Sequence, residues 1–257
     1  MEIILFLVCL IACVIGAISG IGGGIIIKPI VDSLGIIDIK SLSFLSGCTV
    51  LSMSVVSLFR AKKQNININF NVPIFLGLGA IIGGILGKNS FDILTKSFNN
   101  NIVGFIQSIS LFFINIFILW YMYVKNKLQS KKIKSKIITI LLGCLLGIVS
   151  SFLGIGGGPL NIAVIYYFYS FEPKQTTLAS LIVVFFSQLS SLFSSIYVGL
   201  PQFSYLNLFV MCLGGIIGAM IGGNLAKKMD NNKTQKFFKK VLIILIFINI
   251  YNTIKFL

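Results

Sequence analysis

The sequence predicts an all-α polytopic membrane protein made of two homologous halves. Three observations carry that prediction: long apolar runs with few charges, a glycine cluster that occurs twice, and loop charges that change places between the halves. Of the 257 residues, 56% are hydrophobic and 11% are charged. A soluble domain carries about 25% charged residues. The apolar residues fall in blocks near the ~20 residues that cross a bilayer as a helix. No polar stretch is long enough for a soluble domain.

Taken in order, the long apolar runs are 3–18, 41–59, 70–88, 102–124, 137–153, 175–198, 203–225 and 237–256, eight in all. Two shorter apolar pieces, 25–36 and 159–171, each follow a glycine cluster. Run 3–18 has the composition of a signal-peptide core. Glu2 precedes it, no positive charge does, and no small-x-small cleavage site closes it, so it is read as part of the mature chain. The net charge of +15 lies in short loops between apolar runs. That is the pattern of cytoplasmic loops, and it argues against a nucleic-acid partner. The five cysteines all sit in apolar runs without a C-x-x-C pair, and are read as small buried apolar residues. No histidine is present, which removes the commonest proton shuttle and metal ligand.

GIGGG at 20–24 returns at 154–158, an offset of 134. Asp38-Ile-Lys40 answers Glu172-Pro-Lys174, Ser46 answers Ser180, and Ser57 answers Ser191 at the same offset. LGAIIGGILGKN from Leu78 aligns with LGGIIGAMIGGN from Leu213 at offset 135, identical at seven of twelve positions. The chain therefore divides into a first repeat, 1–124, a basic linker, 125–136, and a second repeat, 137–257.

The loop near 60–69 carries Arg60, Lys62 and Lys63, whereas its counterpart near 199–203 carries no charge. The loop near 88–100 (Lys88, Asp92, Lys96) is net +1, and its counterpart near 227–240 is net +5. Swapped asymmetry means opposite orientations, hence an odd number of crossings per half. One of the four long runs in each half must fail to cross. The glycine-broken segment is the natural choice, so each half is expected to hold a re-entrant hairpin plus three transmembrane helices. The termini then lie outside and the linker in the cytoplasm.

Backbone that leaves the helix inside a bilayer needs shelter in protein or water. Adjacent glycines expose amide N–H groups, and a helix starting beyond them aims its positive dipole end at the same place. Broken segments at corresponding positions of two halves point to a transporter binding site. No acidic residue is read as lying deep in an apolar run, so the site is expected to take a small anion and no metal or cofactor. The candidates are Gly20, Gly22, Gly23 and Gly24 with Gly154, Gly156, Gly157 and Gly158. Hydroxyls on the following helix add Ser46, Thr49, Thr177 and Ser180, and Asn161 follows the second cluster. The alternative for these hydroxyls is interhelical hydrogen bonding. The spaced stripes Gly79-x3-Gly83-x3-Gly87 and Gly214-x3-Gly218-x3-Gly222 are read as packing faces. Lys28 and Lys40 are read as snorkelling to the interface.

GIGGG-x4-P at 20–29, GIGGGP at 154–159, the hydroxyl-bearing segment after each, and YVGLPQFSYLNL…GGIIGAMIGGNLAKKMD together resemble the sulfite exporter TauE/SafE family, also called the toluene sulfonate uptake permease family or DUF81. The resemblance covers nearly the whole chain. It implies a bacterial inner-membrane permease for sulfite, a sulfonate or a related organic anion. The first half departs from the family's alanine-glycine-threonine-serine run, showing LSGCT at 45–49. The expected function is a secondary transporter working by alternating access; the alternatives are a passive anion channel or a non-catalytic membrane subunit. An enzyme is not expected, since no His, close acid pair or metal cluster is present. No G-x4-G-K-[ST] motif occurs, so energy must come from gradients or a partner. The coupling ion, proton or sodium, and the oligomeric state are not legible.

Overall fold

The computed structural model describes residues 1–62, 70–124 and 131–257. Lys63 and the linker residues 125–130 lie outside the described residues, so Lys125 and Lys127 of the linker and most of the 60–69 loop are not placed. Among the described residues the chain forms ten helices and no strand. They are α1 (Glu2–Ser19), α2 (Gly24–Leu34), α3 (Ile39–Lys62), α4 (Asn71–Ser97), α5 (Asn100–Val124), α6 (Lys136–Leu153), α7 (Gly158–Tyr169), α8 (Pro173–Val198), α9 (Tyr205–Lys228) and α10 (Asn231–Lys255). Eight are long and apolar enough to cross a membrane. The short ones, α2 and α7, are the pieces that follow the glycine clusters.

The clusters end one helix and start another. Gly20 caps α1 at φ 72° and Gly154 caps α6 at φ 65°, a left-handed backbone that suits glycine. The chain then doubles back: Gly23 lies against Cys13, and Gly16 against Gly22 and Gly23. Pro159 occupies the first turn of α7, while Pro29 lies inside α2.

The two glycine stripes join the halves crosswise. Gly79, Gly83 and Gly87 of α4 lie against the carbonyls of Ile140, Cys144 and Ile148 on α6. Gly214, Gly218 and Gly222 of α9 lie against those of Phe6, Leu10 and Val14 on α1. Both sets ascend together, so α4 runs parallel to α6, and α9 to α1. Each stripe lets two backbones approach with no side chain between them.

Helix directions follow from further contacts. Gly104, early in α5, meets Phe256, while Lys239 near the start of α10 sits 4.0 Å over the Tyr123 ring late in α5. α5 and α10 are therefore antiparallel. α3 and α8 are antiparallel too, since Gly47 faces Gln188 while Val50 and Val184 share contacts with Gly22 and Gly156. α2 runs alongside α10, with Asn252 donating to the Pro29 carbonyl and Lys255 to that of Asp32.

These directions give the bundle two ends. At the terminal end the start of α3, the α8–α9 connection and the C-terminus meet: Ser41 donates to the Gln202 carbonyl and Phe44 stacks on Phe203. At the linker end, the Lys131 and Ile133 amides donate to the carbonyls of Tyr167 and Phe168, next to the start of α8.

Four readings of the sequence are corrected. The charges at 88–100 are not in a loop, because α4 continues to Ser97; Lys88 and Asp92, one turn apart, form a buried ion pair at 2.7 Å. Arg60 belongs to the last turns of α3, beside Asn224. Buried carboxylates do occur, at Asp32 and Asp92, each 6% exposed. Lys28 does not snorkel: it is fully buried, with Nζ donating to Ser43 Oγ at 2.8 Å.

Candidate functional site

The two glycine clusters meet face to face. Gly24 packs on the Ile155 carbonyl and Gly158 on the Ile21 carbonyl, and a Cβ added at Gly158 would overlap that carbonyl. Gly22 and Gly156 both lie between Val50 and Val184. Gly20 packs on Thr177, and Gly154 on Ser43. Ser46 donates to the Gly154 carbonyl at 2.6 Å, and Ser180 donates to the Gly20 carbonyl at 3.0 Å. Every contact in this set has a mate at offset 134, with the roles of the halves exchanged.

The crossing is buried, and its polar groups are spent unevenly. The Gly23 amide donates to Met53 Sδ at 3.2 Å. Among the described residues no partner is found for the amides of Gly22, Gly156 and Gly157. Asn161 is fully buried beside Gly157, and neither side-chain polar atom has a partner. Next to it, Ser150 Oγ shares a hydrogen bond with Ser187 Oγ and accepts one from the Gln188 amide. Thr49 stands apart, donating to the Leu45 carbonyl of its own helix and facing Gly215.

Two cavities flank the crossing, one toward each end of the bundle. The terminal-end cavity, about 20 Å³, is lined by Ser43, Phe44, Gly47, Ser151, Ser191 and Ser195, with Lys88 and Gln188. The linker-end cavity, about 90 Å³, is lined by Thr177, Leu178, Leu181, Ala17, Ser57 and Ala61, with Arg60 and Lys174. Those first six pairs, Ser43 with Thr177 through Ser195 with Ala61, all stand at offset 134. The two cavities thus share lining positions 134 residues apart, and one is narrower than the other. Each holds basic side chains. Lys88, next to the Phe91 ring at 5.1 Å, is neutralised by Asp92. Arg60 bonds Asn224 and keeps Nε buried without a partner.

The sequence model of the family described as Sulfite exporter TauE/SafE matches residues 5–251. The chain belongs to that family. TauE/SafE membership makes it a multi-pass membrane transporter, in agreement with its eight span-length helices. It is similar to the probable membrane transporter protein YunE of Bacillus subtilis (strain 168), 24% identical over 281 residues that cover 95% of each chain. It is also similar to the probable membrane transporter protein MJ0441 of Methanocaldococcus jannaschii, 29% identical over 173 residues, 63% of this chain and 60% of that one. No solved structure matches it.

The TauE/SafE motifs lead to the crossing but not to its flanking charges. Lys28, Lys88, Asp92 and Arg60 were missed as site residues because each reads, in the linear sequence, as a helix-end or loop charge. The one available signal was spacing: Lys88 and Asp92 at i,i+4 fit a paired helical face as well as they fit a loop.

Proposed function

We propose that this protein is a secondary transporter that carries a small anion across the bacterial plasma membrane by alternating access between two inverted halves. The halves are the repeats 1–124 and 137–257, and the anion is sulfite, a sulfonate or a related organic anion. The observation that carries the reading is the pair of equivalent cavities on opposite sides of one closed crossing. A carrier needs a barrier that is open on one side at a time, and inverted repeats supply it by exchanging conformations.

The antiparallel pairs α3–α8 and α5–α10 are pairs of equivalent helices, which supports inversion. In that arrangement α1–α2 and α6–α7 are re-entrant hairpins from opposite faces, with the termini outside and the linker cytoplasmic. The unpaired amides at Gly22, Gly156 and Gly157, the Asn161 amide, and the hydroxyls of Ser46, Thr177 and Ser180 are donors suited to an oxyanion. In the closed state two of those hydroxyls bond opposing carbonyls, Ser46 to Gly154 and Ser180 to Gly20. Separating the hairpins frees them for the substrate. The name of the family favours sulfite as the first compound to try.

The test is flux through purified protein in vesicles, with sulfite, methanesulfonate and acetate as substrates. Saturable uptake with counterflow is expected. Flux that follows only the anion gradient without saturation would make it a channel. Gly23→Leu and Gly157→Leu together should abolish saturable flux, and full transport by the double variant would remove the glycine crossing from the mechanism.

A further inference from the structure

α2 carries an ammonium group where the corresponding position of α7 carries Ile162. Lys28 is fully buried, and its one hydrogen bond runs to Ser43. Among the described residues no carboxylate pairs with it within 4.0 Å. Asp32, one turn further along α2, keeps Oδ1 buried and without a partner. An ionisable residue inside a membrane bundle is expensive and marks a pathway or site. Packing alone is served by the isoleucine that the second half uses.

Ser43 connects this charge to open space. Its hydroxyl accepts from Lys28, so its own proton is left to donate. It lines the terminal-end cavity together with Lys88 of α4, Gln188 and Ser151. Lys88 reaches the same cavity with Asp92 as its counter-ion. One ammonium group, that of Lys88, thus lines the cavity with a carboxylate in contact, and a second, that of Lys28, lies one hydrogen bond behind its wall without one.

We propose that Lys28, acting through Ser43 and together with Lys88, builds a subsite in the terminal-end cavity that binds the transported oxyanion. This rests on reading the chain as an anion transporter, and adds residues that the glycine clusters do not indicate. At about 20 Å³ the cavity has room for a water-sized group. This is the subsite in its closed form. It widens to admit the ion as its larger equivalent at the linker end narrows. The charge is supplied differently at that end, by Arg60 and Lys174, so the two cavities bind the same ion with unequal strength.

Native protein, Lys28→Gln, Lys28→Arg and Ser43→Ala are reconstituted in phosphatidylcholine vesicles, which offer no anionic headgroup. Gln keeps a donor for Ser43 but loses the charge. The KM for sulfite should rise about tenfold or more in Lys28→Gln and by less in Ser43→Ala, while Lys28→Arg stays near native. Sulfite should raise the melting temperature of native protein in neutral detergent and leave that of Lys28→Gln unchanged. Native KM and a native sulfite-induced shift in Lys28→Gln would overturn the subsite while leaving the transporter reading intact. Where Lys28→Gln does not fold, a native KM in Ser43→Ala overturns it. A native protein that neither carries nor is stabilised by sulfite, methanesulfonate or acetate overturns both.

Discussion

Gly158 and Gly47 differ sharply in what they tolerate. A Cβ at Gly158 would land on the Ile21 carbonyl, and main chain on both sides holds it there. A Cβ at Gly47 would meet only the Gln188 Oε1, 2.9 Å away at the end of a flexible side chain. Gly158→Ala should therefore cost about 3 kcal/mol or more, since overpacking that must move backbone lies at the upper end of its range. Gly47→Ala should cost less than about 1 kcal/mol, because the amide can swing aside. Melting curves of the detergent-solubilised variants check this, and equal losses would mean that the hairpins are not in contact. A second residue-level pair tests the exchange relation. Ser46→Ala and Ser180→Ala each leave one glycine carbonyl without its cross-half donor. Each should cost about 0.6–2 kcal/mol and by similar amounts, because the two positions are equivalent.

Among the elements, α4 shows most plainly what the sequence conceals. Hydropathy ends its run at residue 88, where Lys88, Asp92 and Lys96 look like a turn. The helix continues because Lys88 and Asp92 cancel each other one turn apart and are buried together. A hydropathy scale adds their costs separately and cannot register the cancellation. The eight long runs, the glycine breaks and the short helices after them were legible for the opposite reason: each depends on local composition. Lys28 was illegible because its partner, Ser43, comes from another helix. Long-range pairing sets its burial, and one linear sequence does not reveal such pairings. The glycine stripes are an intermediate case, since spacing shows a packing face but not which helix it meets. They meet across the halves, α4 on α6 and α9 on α1. Gly83→Leu and Gly218→Leu should therefore each pry a hairpin from the other half's helix. Both should lower yield and melting temperature to a similar degree, whereas Leu at exposed Gly199, with no neighbour within 4 Å, suffers only backbone strain at its φ of 115°. A large difference between the first two would show that the stripes are not equivalent.

For the whole molecule, the unequal cavities make a directional statement. Ser57 and Ser191 stand at offset 134 and line the linker-end and terminal-end cavities respectively. In an inverted arrangement they belong to opposite sides of the membrane, although they occupy the same position in the two repeats. Parallel repeats would put both on one side. Single cysteines at these positions, in a background free of the five native thiols, separate the two cases. A membrane-impermeant thiol reagent added to right-side-out vesicles should reach Ser191→Cys and not Ser57→Cys, and inside-out vesicles should reverse the order. Labelling of both from the same side would rule out inversion. The rates carry further information. The linker-end cavity, about 90 Å³ against about 20 Å³, is the wider of the two, so Ser57→Cys should react faster from its own side than Ser191→Cys does from its side. A transported anion binds both states, so saturating sulfite should change the ratio of the two rates in favour of the state that binds it more tightly. A ligand with equal affinity for both states shifts no population. The direction of the change therefore reports which cavity holds the anion more tightly, and an unchanged ratio would mean that the two bind it equally.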